Sequence, residues 1–327
     1  MTTDPVRRVL VTGASGFVGG HVLRALGRRP NVGLRYLVHR DTPELRAGTG
    51  FVGDLGDPES LNGICEGIDT VVHAASYGGA DPDRCALVNG RGTAALVAAA
   101  GKAGVGRFIY LSTATVYGPG PHRGAAETRL YPAPHSVADV SRLAAERIVL
   151  AAGGIVLRPM FVYGDGDLWF VTRLVEILRR LPVLVNGGRA RLSVIAVDEL
   201  AEIITALAML PAKQVRSAVY HVSEPDPVSL RDLVSVVGSE LDLPIEPASV
   251  DFDELVGRPG ISAEVVRELA LVAVDRWYDG SAVSRLLGHE PGPGLVEGFG
   301  RYANWYRRQL LALDRPQRSP RRKITQH

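Results

Sequence analysis

From Val9 onward, short runs rich in Val, Ile and Leu alternate with longer amphipathic stretches. The apolar runs at Val9–Thr12, Leu34–His39, Thr49–Val52, Thr70–Ala74, Arg107–Ser112 and Gly154–Arg158 lack strict polar and apolar alternation, which is the pattern of strands buried on both faces. Val18–Arg28, Pro58–Gly63, Asn89–Ala103 and Val137–Ala151 read as helices, with Asp57-Pro58 as an N-cap followed by proline at the first helical position. Strands and helices in this order predict repeated βαβ units and a doubly wound α/β fold with a parallel sheet.

After Pro159 the regularity weakens, and glycine and proline recur in Gly164–Asp167, Pro182–Gly188, Pro225–Val228 and Pro291–Gly294. The expected division is a nucleotide-binding domain over 1–165 and a smaller, mainly substrate-binding C-terminal lobe over 166–314. Segments near 192–222 are expected to return to the first domain. The basic, proline-containing stretch 315–327 reads as a disordered tail.

Composition narrows the functional classes. The 327 residues are 46% hydrophobic, enough for a large core, and a net charge of +2 gives no broad attraction for nucleic acid or an anionic membrane. No run approaches the ~18 apolar residues of a membrane span, and the N-terminus lacks a signal-peptide pattern. Cys65 and Cys85 make no disulfide framework, and no Cys/His cluster has metal-ligand spacing, so a reducing cytoplasm is the expected setting. Only Lys102, Lys213 and Lys323 are lysines, which limits where a catalytic lysine could stand.

The most informative segment is Val9-Leu-Val-Thr-Gly13-Ala-Ser-Gly16-Phe-Val-Gly19, a glycine-rich turn between a predicted strand and a predicted helix. Gly13 permits the tight turn, Gly16 lets the backbone approach a pyrophosphate, and Gly19 allows close helix–strand contact. The helix N-terminus adds N–H donors and partial positive charge. Together these point to a Rossmann dinucleotide site.

The spacing resembles the extended short-chain dehydrogenase/reductase family, and further landmarks follow in that family's order. They are Gly53-Asp54-Leu55, Val72-His73-Ala74-Ala75, Val88-Asn89-x-x-Gly92-Thr93, Leu111-Ser112-Thr113-Ala114-Thr115-Val116-Tyr117-Gly118, Arg158-Pro159-x-x-Val162-Tyr163-Gly164 and Val197-Asp198-Glu199-Leu200. The resemblance implies that Gly13, Ser15, Gly16, Phe17, Val18 and Gly19 hold the dinucleotide phosphates. It also implies that Asp54 and Leu55 lie beside adenine, Ala74, Ala75 and Ser76 beside the nicotinamide ribose, and Pro159, Met160 and Val162 beside the nicotinamide ring. His39-Arg40 stands where an NAD-selective site would offer an acid to the ribose 2′-hydroxyl, so Arg40 is expected to pair with a 2′-phosphate and the cofactor to be NADP(H), with the adjacent Asp41 leaving NAD as the alternative.

The family reduces carbonyls with a tyrosine proton donor whose pKa is lowered by a lysine four residues later. Here Ser141-Arg142-Leu143-Ala144-Ala145-Glu146 fixes the register, leaving Arg142 at the lysine position and Ala138 at the tyrosine position. Alanine cannot donate a proton, and arginine does not deprotonate in proteins. Arg142 can still hydrogen-bond the nicotinamide ribose. Thr113 matches the family's Ser/Thr position and is the expected catalytic hydroxyl. Tyr117, Tyr131, His135, Ser136 and Asp139 surround the vacancy as possible replacement acids.

Without the tyrosine, the chain resembles a small group of atypical reductases in antibiotic tailoring. That implies NADPH-dependent reduction of an aromatic ketone, an angucyclinone-type polyketide at its C-7 carbonyl, with an adjacent phenol helping to carry the proton. Removing the tyrosine is also expected to open space above the nicotinamide. A non-catalytic NADP-binding sensor and a nucleotide-sugar epimerase or dehydratase are the competing readings. Leu168-Trp169-Phe170, Trp277-Tyr278 and Trp305-Tyr306 are candidate aromatic walls or core packing.

Overall fold

A computed structural model describes residues 6–39, 48–211, 214, 217–245 and 247–313. In chain order the first half runs β1 (Arg7–Thr12), α1 (Phe17–Gly27), β2 (Val32–Val38), β3 (Thr49–Val52), β4 (Thr70–His73), α2 (Pro82–Arg84), α3 (Thr93–Lys102), β5 (Arg107–Leu111), β6 (His122–Ala125), α4 (Val137–Ala151), β7 (Ile155–Pro159) and β8 (Phe161–Tyr163). There follow α5 (Val171–Arg180), β9 (Val183–Val185), β10 (Arg191–Leu192), β11 (Val194–Ala196), α6 (Val197–Met209), β12 (Ala218–Val222), β13 (Val228–Ser229), α7 (Leu230–Leu241), β14 (Ala248–Val250) and β15 (Arg276–Tyr278).

Seven strands form one sheet in the order β12-β7-β5-β4-β1-β2-β3, and every neighbouring pair is parallel. The strand order reverses between β1 and β4, where Thr12 pairs with His73 at the carboxyl ends. That reversal opens a crevice above the sheet, the usual ligand position in doubly wound folds.

Both faces of the sheet are covered, which explains the unbroken apolar runs. Val9, Val11 and Val72 pack with Val22 and Leu26 of α1 and with Leu200, Ile204 and Leu207 of α6. Leu10, Val71 and Val156 face the other way, against Leu96 of α3 and Ala145 and Val149 of α4. The first-half strands and Val137–Ala151 follow the sequence reading closely.

Other elements differ. Pro58–Leu61 is a single 3-10 turn, and Asp57 makes no side-chain cap; its carbonyl accepts the Ser60 hydroxyl at 2.6 Å instead. The helix expected over Asn89–Ala103 begins earlier, at Pro82, and passes through a π-helical stretch, Cys85–Gly92, before α3. β6 joins the smaller sheet β13-β10-β15-β6, whereas β12 lies at the edge of the large one. A separate core holds Phe161, Phe170, Leu192, Leu233 and Phe299, among others. No helix among the described residues is long and apolar enough to cross a membrane.

Candidate active site

The carboxyl ends of β1, β4, β5 and β7 converge on a cleft of about 640 Å³ lined by the glycine turn, Ala74–Ser76, Leu111–Thr113, Arg142, Pro159, Met160, Val162 and Trp169. Gly13, Ser15, Gly16, Phe17, Val18 and Gly19 all face it. Gly13 has φ +72°, and a Cβ there would lie 2.7 Å from Ala75 N. A Cβ at Gly19 would lie 2.1 Å from the Gly13 carbonyl oxygen. The turn can therefore lie flat against the end of β4 only with glycine at both places. No side chain caps α1 and no acid stands in its first turn. Its N–H groups and partial positive charge are left for an anion, so the residues present fit a dinucleotide pyrophosphate.

A buried network holds this cradle. The Thr12 hydroxyl is 2.6 Å from His73 Nδ1, and His73 Nε2 is 2.9 Å from the Thr93 hydroxyl. Burial lowers the His73 pKa from 6.5 to about 3, so the ring is neutral and links the two threonines as one donor and one acceptor. Asn89, in the π-helical stretch, donates to the Tyr77 carbonyl at 2.9 Å and accepts the Tyr77 N–H at 2.7 Å, bracing the segment after Ser76. Asn89 also donates to the Ser141 hydroxyl on α4 at 2.8 Å. Asn89 and Thr93 stood in the sequence only as family landmarks; their partners lie far away in the chain.

His39, Asp54 and Leu55, the residues expected at the adenine end, are not part of the cleft lining. His39 Nε2 lies 3.2 Å from Asp54 Oδ2 at the exposed ends of β2 and β3, and Leu55 is buried beneath them. Arg40 lies outside the described residues.

At the opposite end, Arg142 donates to the Ser76 hydroxyl at 3.3 Å and reaches Asp139 at 3.7 Å. Thr113 lines the cleft and caps the 3-10 turn Ala114–Tyr117, accepting the Thr115 N–H at 3.2 Å. Ala138 is buried and does not line the cleft.

The five neighbours of the vacancy separate clearly. Tyr117 is buried, with its hydroxyl 2.7 Å from both Arg158 Nη1 and His221 Nε2. Tyr131 is 90% exposed, and His135 is exposed with only the Ala133 carbonyl at 3.4 Å from its ring. Ser136 caps α4, and Asp139 accepts the Thr115 hydroxyl at 2.5 Å. Lys102 ends α3, and Lys213 and Lys323 lie outside the described residues. Among the aromatics, Trp169 lines the cleft, whereas Tyr306 is core.

Below the cleft floor, Ser112 donates to Glu146, and Glu146 pairs with Arg158. Arg158 donates to the Tyr117 oxygen, which also shares a hydrogen bond with His221 Nε2. Burial is the main cause that raises the Tyr117 pKa, and burial lowers that of His221 from 6.5 to about 4. A buried, fully engaged phenol of this kind holds β5, β7 and β12 together rather than protonating a ligand.

Residues 9–223 match the NAD dependent epimerase/dehydratase family, and the chain belongs to it. It is 28% identical to the 2-alkyl-3-oxoalkanoate reductase of Stenotrophomonas maltophilia, over 90% of this chain and 98% of the relative. It is 27% identical to the 4-hydroxy-2-methyl-3-oxo-4-farnesyl-3,4-dihydroquinoline-1-oxide ketoreductase of Stigmatella aurantiaca, over 75% of this chain and 76% of the relative. The fold matches that of the Bordetella bronchiseptica enzyme WbmH in complex with NAD+, with a TM-score of 0.74 at 22% identity over 93% of this chain and 99% of that one.

Proposed function

We propose that the protein is an NADP(H)-dependent ketoreductase that works without the Tyr/Lys pair. The observation that carries this reading is the single cleft in which the glycine cradle, Arg142, Thr113 and the Pro159–Val162 segment face one another while Ala138 stands buried beside them. A bound nicotinamide dinucleotide supplies the hydride. The protein's own part is to hold the pyrophosphate at Gly13–Gly19 and to orient the ribose through Arg142 and Ser76. Thr113 presents its hydroxyl at the carbonyl oxygen.

The lost tyrosine does not rule this out on energetic grounds. A positioned general acid contributes ~10²–10⁴-fold, whereas orientation of two reactants supplies ~7–11 kcal/mol. Relatives named as a 3-oxoalkanoate reductase and a quinoline-oxide ketoreductase support carbonyl chemistry over sugar chemistry. An epimerase of the usual kind also needs the phenol that Ala138 replaces.

The substrate we favour is an aromatic ketone flanked by a phenol, an angucyclinone-type polyketide reduced at C-7, as in simocyclinone biosynthesis. An internal hydrogen bond from that phenol would polarise the carbonyl and lower the demand on the protein. Trp169, 85% exposed at the cleft, offers a flat apolar wall, and the C-terminal lobe beyond residue 166 would close over the substrate. A sensor role is the second reading, favoured by the missing Tyr and Lys.

Purified protein incubated with NADPH and a panel of phenol-flanked polyketide ketones, a 7-oxo-angucyclinone among them, tests this. NADPH loss matched by a product heavier by two hydrogens is the expected result. Tight NADPH binding with no turnover on any ketone would favour the sensor.

A further inference from the structure

Asp139 stands one residue past the missing tyrosine, and both of its carboxylate oxygens are engaged. Oδ2 accepts the Ser136 hydroxyl at 2.6 Å while Ser136 Oγ accepts the Asp139 N–H at 3.0 Å, the capping arrangement that starts α4. Oδ1 has no part in the cap and instead accepts the Thr115 hydroxyl at 2.5 Å. A threonine hydroxyl has one proton, and that of Thr115 is committed to the carboxylate. In the 3.1 Å contact between the Thr113 and Thr115 hydroxyls, Thr113 is therefore the donor. Thr113 lines the cleft, and its hydroxyl proton is directed to Thr115, which in turn bonds Asp139.

A hydroxyl arranged this way receives a proton from a ligand before it gives one. We propose that Thr113, Thr115 and Asp139 form a directed proton relay that stands in for the missing phenol, with Asp139 its terminal base. The proposal rests on the reading of the cleft as a carbonyl/alcohol oxidoreductase site. In alcohol oxidation, the substrate O–H proton passes to Thr113, the Thr113 proton to Thr115 and the Thr115 proton to Asp139, while hydride passes from the carbinol carbon to an oxidised nicotinamide. The carbinol is oxidised to the ketone, the nicotinamide is reduced, and Asp139 releases its proton to solvent. Ketone reduction is the reverse, with the oxygen taking the Thr113 proton as Thr115 and a protonated Asp139 refill the chain.

Thr113 touches the substrate, whereas Thr115 and Asp139 act through it as positioning residues. The charged groups facing Asp139 are Arg142 on the same helix, at 3.7 Å, and Arg276 on β15, whose guanidinium feels the Asp139 charge. Thr115 and Ser136 are its neutral partners. The relay consumes a carboxylate in oxidation and a carboxylic acid in reduction.

Thr115→Val removes the middle hydroxyl and leaves the α4 cap intact, and Asp139→Asn removes the base. Both would be compared with the wild type across about pH 5 to 9, as ketone with NADPH and as the corresponding alcohol with NADP+. The relay predicts that Thr115→Val lowers kcat about 10²-fold in both directions at unchanged NADPH affinity. It predicts that Asp139→Asn lowers kcat of alcohol oxidation by about as much as Thr115→Val does, with KM unchanged. A wild-type kcat in Thr115→Val would overturn it. Should the wild type turn over no ketone or alcohol, the oxidoreductase reading fails first, and the relay is then judged on the Thr115 hydroxyl proton by NMR. Its resonance should be protected from solvent exchange in the wild type and lose that protection in Asp139→Asn; an unprotected hydroxyl in the wild type would overturn the hydrogen-bonded chain itself.

Discussion

Arg158 and Glu146 form an ion pair with side chains only 5% and 1% exposed, beneath the cleft floor. Ser112 supplies a further donor to the carboxylate, and the Tyr117 oxygen accepts from the guanidinium at 2.7 Å. Neither charge has water to fall back on. Arg158→Met should therefore cost about 3–5 kcal/mol, read as a lower urea midpoint, by stranding Glu146. The double variant Arg158→Met/Glu146→Leu should recover most of that loss. Equal destabilisation of single and double variants would show that packing, not charge, governs the site.

The glycine cradle makes a sharper prediction. At Gly13, φ is +72° and an added Cβ would sit 2.7 Å from Ala75 N and 2.8 Å from the Ala74 carbonyl carbon, both backbone atoms that cannot rotate aside. Gly13→Ala should therefore push the turn off the end of β4 and weaken NADPH by about tenfold or more, measured by fluorescence titration. Gly90 has open space where its Cβ would be, so Gly90→Ala is the matched control and should bind normally.

Cofactor preference is tested at Arg40. A 2′-phosphate partner there predicts that Arg40→Ala weakens NADPH by about tenfold or more with little change for NADH. Equal losses for both dinucleotides would instead assign Arg40 a role unconnected with the phosphate.

Much of this was readable from the chain because it depends on local backbone demands. The positive φ at Gly13 and the close approach at Gly19 admit only glycine, and Leu10 between Val9 and Val11 signals a strand covered on both faces. Less legible was whatever depends on partners distant in sequence. The bond from Thr115 to Asp139 spans 24 residues, and β6 finds its place only against β15, some 150 residues away. The π-helical turn that aims Asn89 at Tyr77 and Ser141 has no periodicity of its own to read. Asp57 failed as a cap because its backbone carbonyl, not its carboxylate, satisfies Ser60.

Thr113→Ala removes the hydroxyl nearest the proposed reacting oxygen. The expected result is a fall in kcat of about 10²-fold with measurable turnover remaining, since orientation in the cleft is untouched. NADPH affinity should hold within about twofold, because the proposed site leaves dinucleotide binding to Gly13–Gly19 and Arg142. A rate unchanged from wild type would remove Thr113 from the chemistry.

Glu224 supplies a pH test of stability that is independent of the active site. It is 4% exposed, and burial raises its pKa from 4.5 to about 7. The Tyr163 hydroxyl and the Leu295 N–H, each at 2.8 Å, pull the other way without cancelling the burial. A carboxyl with a higher pKa folded than unfolded binds more protons in the folded state, so its contribution is complete below about pH 4.5 and is lost as pH rises through about 7. Its size is roughly 3 kcal/mol for a shift of this extent. Glu224→Gln cannot titrate, so the unfolding free energy of wild type minus that of the variant should decline by about this amount across the window. Parallel curves for the two proteins would mean that Glu224 has the same proton affinity in both states, and that the Tyr163 and Leu295 bonds offset its burial after all.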